Sequence, residues 1–307
     1  MKKVGGLTYT PLADYSGRVS IAFRDGLVAV AVGGPKVLQL LVSDDGRPPQ
    51  EAQGAGPIPI WGRVHVGSNQ AGTLVVTYPR CSTATLRTCD IYEWNSETHR
   101  ERLLRLASKS GRADLEATED RGNVLRVTSL TPDAVVDQEA LLGQEDPAGS
   151  VTLQERRRST HRLLDSGGYG VVMNVGKIGW LESRPSDPCG SVTARMRNQH
   201  TRRTMFSHKT FCDQEEGGEP VGVGIVAGQF MFGFTRTYED ASVFAHPIDT
   251  GPRRQRAASL RGSAVDFAPV TSDSGYVVDG FGCDGRWEGT VPRGRCHVDL
   301  VTGLNLR

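Results

Sequence analysis

A repeated sequence unit constrains the fold of this chain more than any other feature. A Gly-Arg pair followed by a small residue occurs at 17–19, 62–64 and 111–113, where it opens a short alternating run that ends in a glycine-containing turn. Similar units recur along the 307 residues, at spacings of roughly 45 to 55 residues, the range expected for the blades of a β-propeller. The repeat therefore predicts small sheets that pack side by side.

The units continue with two further β-rich runs and then an Arg-rich fourth run, except that the first unit lacks a clear fourth strand because residues 47–57 are rich in Pro and Gly. The second runs are 27–32, 73–78, 123–129, 177–183, 229–235 and 276–281. The third runs are 36–43, 89–95, 150–156, 191–198, 242–249 and 296–303. Asp, Asn, Ser, Thr and Gly, which favour tight turns, separate the third and fourth runs. The pattern predicts four antiparallel strands per blade.

We therefore predict an all-β fold, a single six-bladed β-propeller. It spans residues 18–307, with blades that start near residues 18, 62, 112, 168, 220 and 263. Residues 1–17 form an N-terminal segment that could complete the last blade. Five or seven blades are alternatives, as are two stacked β-sandwiches, although a sandwich does not require the same turn chemistry in every unit. A connector in the third unit could hold one short helix at 133–142.

The second unit resembles the repeats of TolB-type and WD40-like bacterial β-propellers. The resemblance lies in a cysteine-containing hairpin followed by DIYEWNSETHRERLL, and the turns in VDLVTG and PIDTGPRR are similar to those repeats. It covers most of residues 17–307 and implies the fold alone, because the repeat carries no catalytic residue. We find no TolB-like accessory domain at the N-terminus, so the envelope-complex role of that family is not carried over.

The six cysteines map to one predicted face. With strands a to d numbered outward from the central channel, antiparallel order places the b–c loops and the starts of the a strands on the same face. We predict three disulfides within single blades, one of fifteen possible connectivities. They are Cys81–Cys89, Cys189–Cys212 and Cys283–Cys296. Six paired cysteines favour an oxidising compartment. Free thiols and a metal site are the alternatives, although the chain has no Cys-x-x-Cys motif.

Four residues near the predicted channel are candidates for ligand binding. Arg18, Arg63 and Arg112 open strand a in consecutive units and would form an arc of guanidinium groups at the channel mouth. Arginine offers planar, two-pronged donors that suit carboxylate, phosphate or sulfated-glycan groups. Salt bridges between neighbouring blades are the alternative role. His65 lies on an inner strand and could reach the channel, or its hydrogen bonds could be satisfied internally.

The b–c loops carry residue types that are common at interfaces. These are Tyr78, Arg80, Arg236, Tyr238, Arg286 and Trp287. Exposed aromatic side chains beside arginines on one rigid face predict a binding surface. Ordinary packing of the loops is the alternative.

Charge and motifs exclude several function classes. The formal net charge of +1 argues against nucleic-acid binding. No apolar stretch approaches the roughly 20 residues of a membrane-spanning helix, and the N-terminus has no signal-peptide pattern. The sequence lacks a nucleophile elbow, a P-loop, a zinc-protease motif and a dinucleotide fingerprint. We expect no metal and no cofactor.

The sequence favours a non-enzymatic binding or scaffold domain of the cell envelope or the secreted fraction. It would bind a protein or an anionic or glycan ligand through the face with the b–c loops, as a monomer. A propeller-type carbohydrate-active hydrolase or lyase is the alternative, with Asp266, Asp279 and Glu239 as acids that could serve at the channel mouth.

The cysteine pairing yields a direct prediction. Alkylation of the unreduced, denatured protein should add no mass, because all six cysteines are in disulfides, and alkylation after reduction should add six groups. Intact-mass measurement gives the count, and peptide mapping assigns the pairs. Six alkylated cysteines before reduction would contradict the prediction.

Overall fold

The computed structural model describes most of the predicted strands. The described residues are 2–9, 19–33, 38–44, 50–56, 63–81, 89–104, 114–128, 149–156, 160–174, 176–183, 192–210, 219–226, 229–235, 240–247, 255–261, 276–284, 287–288, 291–292 and 295–302. These residues form 24 β-strands and no helix, so the all-β expectation is confirmed. The short helix predicted at 133–142 lies outside the described residues.

The first sheet is a four-stranded antiparallel meander with the strand order β2-β3-β4-β5. Its strands are β2 (Val19–Arg24), β3 (Leu27–Gly33), β4 (Leu38–Asp44) and β5 (Gln50–Glu51). The turn between β2 and β3 consists of Asp25 and Gly26, whose φ angles are 46° and 91°. Positive φ at both positions is typical of a two-residue hairpin turn whose twist matches the flanking strands.

The largest sheet contains eleven strands, and most neighbours follow chain order. Its first half consists of β6 (His65–Ser68), β7 (Leu74–Cys81), β8 (Cys89–Asn95), β9 (Arg100–Leu103), β10 (Asp114–Asp120) and β11 (Asn123–Thr128). Its second half consists of β12 (Gly149–Gln154), β13 (Thr160–Asn174), β14 (Lys177–Ser183), β15 (Val192–Asn198) and β16 (Thr204–Thr210).

Two features join separate meanders into this sheet. The meander β6 to β9 meets β10 through a single parallel pairing, Asp120 opposite Ser68. Strand β13 has 15 residues; its first half pairs with β12, and its second half pairs with β14. One long strand therefore ends one antiparallel meander and begins the next.

Two further sheets contain most of the remaining strands. One is a four-stranded meander of β17 (Glu219–Val226), β18 (Gln229–Thr235), β19 (Asp240–Pro247) and β20 (Gln255–Arg261). The other, with the order β1-β24-β21, contains β1 (Lys2–Tyr9), β21 (Tyr276–Asp284) and β24 (Arg295–Thr302). A small hairpin of β22 (Trp287–Glu288) and β23 (Val291–Pro292) lies between β21 and β24 in the chain. Because β1 pairs with β24, the two ends of the described chain share one sheet.

Contacts between the sheets follow the order of the chain and return to the start. Strand β2 contacts β6, and β10 contacts β6, β7 and β8. Strands β13 and β14 contact β17, and β20 contacts β21. Strand β21 in turn contacts β2 of the first sheet. Each sheet is therefore packed against its successor, and the last against the first.

Apolar side chains fill the spaces between neighbouring sheets. One cluster joins Ala29 and Leu40 of the first sheet to Val66, Val76 and Trp94 of the β6–β9 meander. A second contains residues of β11 and β12 together with residues of β13 and β14, and its largest member is Trp180. Consecutive residues such as Val75 and Val76 are both buried, because a strand covered on both faces buries both of its alternating rows.

Strands β6 and β10 approach each other so closely that glycine is required at position 67. A Cβ atom at Gly67 would lie 1.9 Å from the carbonyl oxygen of Glu119. We expect Gly67→Ala to lower the free energy of unfolding by about 3 kcal/mol, because the two backbones must move apart. Chemical denaturation measures this change.

Gly72→Ala is the control for the loss of a glycine. Gly72 has a φ of 91° and no atom near the position of an added Cβ, so this variant should cost only about 1 kcal/mol, from backbone conformation. Equal destabilisation in the two variants would contradict the close approach of β6 and β10.

Candidate functional site

Strands β2, β6 and β10 bring polar and charged side chains together in the interior. Each of these strands begins an antiparallel meander, β2 contacts β6, and β6 pairs with β10. The buried polar residues on them are Ser20, Arg24, His65, Ser68, Asp114, Glu116, Thr118, Glu119 and Asp120. Because buried charge is costly unless it is paired, the partners of these groups decide what the cluster can do.

Asp120 links all three strands. The Arg24 guanidinium donates to Oδ1 of Asp120 at 2.8 Å, and the hydroxyl of Ser68 donates to the same oxygen at 3.0 Å. The backbone amide of Arg121 donates to the carbonyl oxygen of Ser68 at 2.8 Å. The Asp120 charge is thus neutralised by Arg24 of β2, and the same oxygen is hydrogen-bonded by Ser68 of β6.

His65 is engaged within the protein. Its Nε2 lies 3.1 Å from Oε2 of Glu116 on β10, and both side chains are buried. The sequence placed His65 on an inner strand within reach of the channel, and the structure gives it a buried carboxylate partner.

Asp114 forms a second internal pair on β10. Nη1 of Arg126 lies 3.3 Å and 3.4 Å from its two carboxylate oxygens, and the Thr128 hydroxyl donates to Oδ1 at 2.9 Å. Burial raises the pKa of Asp114 above its usual value, and the Arg126 charge opposes this shift. Asp114 and Glu116 are two residues apart on β10, with an irregularity of the strand register between them, and both carboxylates have internal partners.

A buried carboxyl pair lies between β8 and β10. Arg102 holds Glu93 with two hydrogen bonds of 3.0 Å and 2.6 Å, and Glu93 is hydrogen-bonded to Glu119. Burial, followed by this bond and the Glu93 charge, raises the pKa of Glu119 to about 9; the charge of Asp120 adds to the shift and that of Arg102 opposes it. At neutral pH Glu119 is therefore protonated and can donate to the Glu93 carboxylate.

Tyr78 and Arg80, predicted on the exposed b–c loop, belong instead to a packed cluster around Glu101. Tyr78 is completely buried, and its hydroxyl donates to Oε2 of Glu101. Arg80 donates to Oε1 of Glu101 at 2.6 Å and lies over the ring of Tyr92 at 4.9 Å. Tyr78 is therefore not an exposed aromatic, because its strand, β7, is covered on both faces.

The other predicted binding residues are only partly described. Arg63 is half-buried and has a partner in the structure, and Trp287 is the first residue of β22. Arg18, Arg112, Arg236, Tyr238 and Arg286 lie outside the described residues, as do the candidate acids Glu239 and Asp266. Asp279 lies on β21, opposite Asp299.

Two of the predicted cysteine pairs lie opposite each other on paired strands. Cys81 faces Cys89 in the β7–β8 register, and Cys283 faces Cys296 in the β21–β24 register. Cys89 is disulfide-bonded. Cys189 and Cys212 are outside the described residues.

Sequence reasoning missed the acidic residues that form the interior cluster. Strand β10 reads DLEATED, a pattern that looks solvent-exposed, yet six of its seven residues are buried. The recurrence of charged residues on a strand that opens a repeat is the signal that could have identified it. In the described part of the chain, no group of three His, Cys, Asp or Glu side chains is arranged to hold a metal ion.

Comparisons with solved structures show what this fold resembles. The SapL1 lectin, solved in complex with α-methyl fucoside, superposes with a TM-score of 0.54 at 11% identity, over 95% of this chain and 97% of the lectin. The fucose-specific lectin from Aleuria aurantia gives a TM-score of 0.50 at 6% identity, over 87% of this chain and 89% of the lectin.

TolB from Acinetobacter baumannii gives a TM-score of 0.51 at 11% identity, over 82% of this chain. The match spans 58% of the TolB chain. No protein-family model and no characterised sequence matches the chain. These neighbours have propeller-type folds, so the predicted fold-level resemblance to TolB-like propellers is confirmed. The described residues contain no helix that is long and apolar enough to cross a membrane.

The Glu93–Glu119 pair predicts a pH-dependent stability. Between the unfolded pKa, 4.5, and the folded pKa, about 9, the folded protein keeps a proton that the unfolded chain releases. Rising pH therefore lowers the free energy of unfolding over this range. Glu119→Gln keeps a donor to Glu93 but cannot lose this proton, so its stability relative to the wild type should rise by a few kcal/mol between about pH 5.5 and pH 8.5.

Urea denaturation at both pH values measures the difference. Glu97→Gln is the matched control, because Glu97 is exposed in the turn between β8 and β9. The same stability difference for Glu119→Gln at both pH values would show that Glu119 is ionised in the fold.

Proposed function

We propose that this protein is an extracytoplasmic, six-bladed β-propeller that acts as a non-enzymatic binding domain. Its ligand is a protein, a glycan or an anionic molecule. The face with the b–c loops binds this ligand. The order of the sheets supports six blades of four strands. In this arrangement β2, β6, β10, β13 and β17 would be the first strands of five blades, and β21, β24 and β1 would belong to the last blade, with β1 as its outermost strand.

The observation that carries the non-enzymatic role is the pairing of the interior carboxylates. Asp114, Glu116 and Asp120 each lie within hydrogen-bonding distance of a buried arginine or histidine. A catalytic acid or base must be free to contact substrate. The β10 carboxylates instead neutralise the charges of neighbouring strands, which leaves ligand binding to the loops.

The b–c loops form the proposed binding face. They include residues 82–88, 184–191, 236–239 and 285–294. Directly opposite residues of antiparallel strands have Cα atoms about 4.5 to 5.5 Å apart, within the range that a disulfide spans. The registers of Cys81 with Cys89 and of Cys283 with Cys296 therefore support cross-links at the bases of two loops. Such cross-links also favour an oxidising, extracytoplasmic location.

The ligand class draws on two solved neighbours. Two proteins of matching length and fold are lectins, one of them in complex with α-methyl fucoside. The arginines and aromatic side chains of the b–c loops suit such a ligand, because aromatic rings pack on sugar faces and arginines bind hydroxyl or acidic groups. Arg286 and Trp287, adjacent in the connection between β21 and β24, are the proposed contacts.

A glycan-active hydrolase or lyase is the second candidate. The observation that favours it is that two buried carboxyl groups, Asp114 and Glu116, lie on the same strand β10, and burial raises the pKa of Asp114. Two carboxyl groups in different environments are what the acid and base of an inverting glycosidase require. Their internal partners are the reason for placing this function second.

Binding to a glycan array, followed by product analysis, tests the proposal. We expect retention of at least one fucosylated or acidic glycan without release of shorter sugars. Trp287→Ala with Arg286→Ala should weaken binding at least tenfold, by removing one aromatic and one charged contact. Arg100→Gln, a change at the exposed first residue of β9, is the control and should bind normally.

Two results would contradict the proposal. Turnover of a bound glycan that is abolished by Glu116→Gln would establish the enzymatic alternative. Binding that survives the loss of Trp287 and Arg286 would exclude the b–c loop face.

A further inference from the structure

A second surface lies on the side of the sheets opposite the b–c loops. It is formed by four neighbouring turns, which join β10 to β11, β12 to β13, β13 to β14 and β15 to β16. The backbone amide of Arg156 donates to the Asn123 side chain at 3.0 Å, and a Cβ at Gly122 would lie 3.4 Å from the Arg156 side chain. The first two turns are therefore in contact.

The other two turns continue the same surface. The Arg202 guanidinium reaches across to His161 near the start of β13. The backbone amide of Gln199 donates to the carbonyl oxygen of Gly176 at 2.8 Å. The four turns therefore form one continuous area across two successive meanders.

This surface carries a dense positive charge. Arg121, Arg156, Arg202 and Arg203 are all exposed there, and we call these four residues the basic turn surface. Lys177, half-buried at the start of β14, adds a fifth cation. The charge is local, because the whole chain has a formal net charge of only +1.

Many, though not all, arginines elsewhere in the described chain are neutralised by carboxylates; Arg100 is exposed, and Arg197 lies over the Trp180 ring. Those that contact an Asp or Glu are Arg24, Arg80, Arg102, Arg126, Arg162 and Arg195. Among the described residues, the basic turn surface has no such ion pair. The contrast leaves a positive potential over the turns that an external anion can neutralise.

Arg202 contacts a histidine instead of a carboxylate. Its Nη1 lies 2.9 Å from Nδ1 of His161. A guanidinium group has only donors, so the histidine nitrogen accepts this bond. The carboxylate of Glu155 lies 3.8 Å from the other nitrogen of the His161 ring. An arginine that binds a neutral acceptor keeps its full charge available at the surface.

Two of these arginines occupy positions that favour other residues. Arg121 and Arg202 have φ angles of 51° and 58°, in the left-handed region where Gly, Asn and Asp are cheaper by about 1 kcal/mol. In particular, Arg121 is the first residue of a two-residue hairpin turn that usually has Asn, Asp or Gly there. Turn geometry therefore does not account for arginine at either position, whereas a role for its charge does.

We propose that the basic turn surface binds an anionic polysaccharide through its sulfate or carboxylate groups. Several arginines side by side present the two-pronged donors that such groups accept. The exposed large apolar side chains in the described chain are Leu103 and Met205, so the described part of the surface has no aromatic stacking platform for single-stranded nucleic acid and, in Met205, a single apolar side chain with which to anchor a membrane. This site goes beyond the proposed function, because it lies on the opposite face and uses different residues.

Titration with fluorescent dextran sulfate tests this site. We expect saturable binding at about 50 mM salt that weakens strongly at about 200 mM salt, and no binding to neutral dextran. Replacing the four arginines together, with Asn at 121 and 202 and Gln at 156 and 203, should weaken binding by about 50-fold. Each single replacement should weaken it by about threefold.

Arg162→Gln is the matched control, because Arg162 is exposed on β13 but paired with Asp165. It removes the same charge and should change the affinity by less than twofold. Unchanged thermal unfolding of the fourfold variant verifies that it is folded.

Three outcomes would overturn the site. They are the absence of binding to dextran sulfate at low salt, equal losses in the control and in the single variants, and tighter binding to a DNA duplex than to dextran sulfate. Binding through the b–c loops is measured separately on the glycan array. A negative result in one experiment therefore does not affect the interpretation of the other.

Discussion

The Asp120 carboxylate is the interaction on which the arrangement of the first three meanders depends. It accepts a hydrogen bond from Arg24 on β2 and another from Ser68 on β6, and it ends the strand that pairs with β6 in parallel. A buried ion pair contributes little net stability, but removing one partner leaves an uncompensated charge. Asp120 therefore fixes the position of three strands relative to one another. The approach of β6 to β10, possible only with glycine at 67, follows from the same contact.

The charged groups of the interior pair with one another, whereas the proposed ligand sites lie at the ends of the sheets. Inner strands of a ring of sheets lie close together, so their polar side chains can neutralise one another, as His65 with Glu116 and Arg126 with Asp114 do. The exposed turns at the two ends of the sheets are not constrained in this way. On one end two of them have cysteines at their bases, and on the other they carry arginines that have no carboxylate partner among the described residues. The proposed ligand sites are at these two ends because the middle is already charge-balanced.

The strand order was largely predictable from the sequence, whereas the site was not. The run predicted at 229–235 is β18, and the run at 177–183 is β14, because hydrophobic runs bounded by turn residues locate strands well. The sequence did not show that one strand, β13, serves two meanders, since strand ends depend on pairing partners. It also placed Tyr78 on the surface and did not identify Asp114, Glu116 or Glu119 as buried. Acidic residues are usually exposed, and only the facing strand reveals the partner that makes burial possible.

The central claim is that the buried charges of the first strands hold the sheets together and are not a ligand site. A double-mutant cycle with Arg24→Met and Asp120→Asn, followed by urea denaturation, tests this claim most directly. The account predicts a coupling energy of about 2 kcal/mol between the two residues, with glycan and dextran sulfate binding unchanged in folded variants. A coupling near zero, together with loss of ligand binding in either single variant, would contradict it.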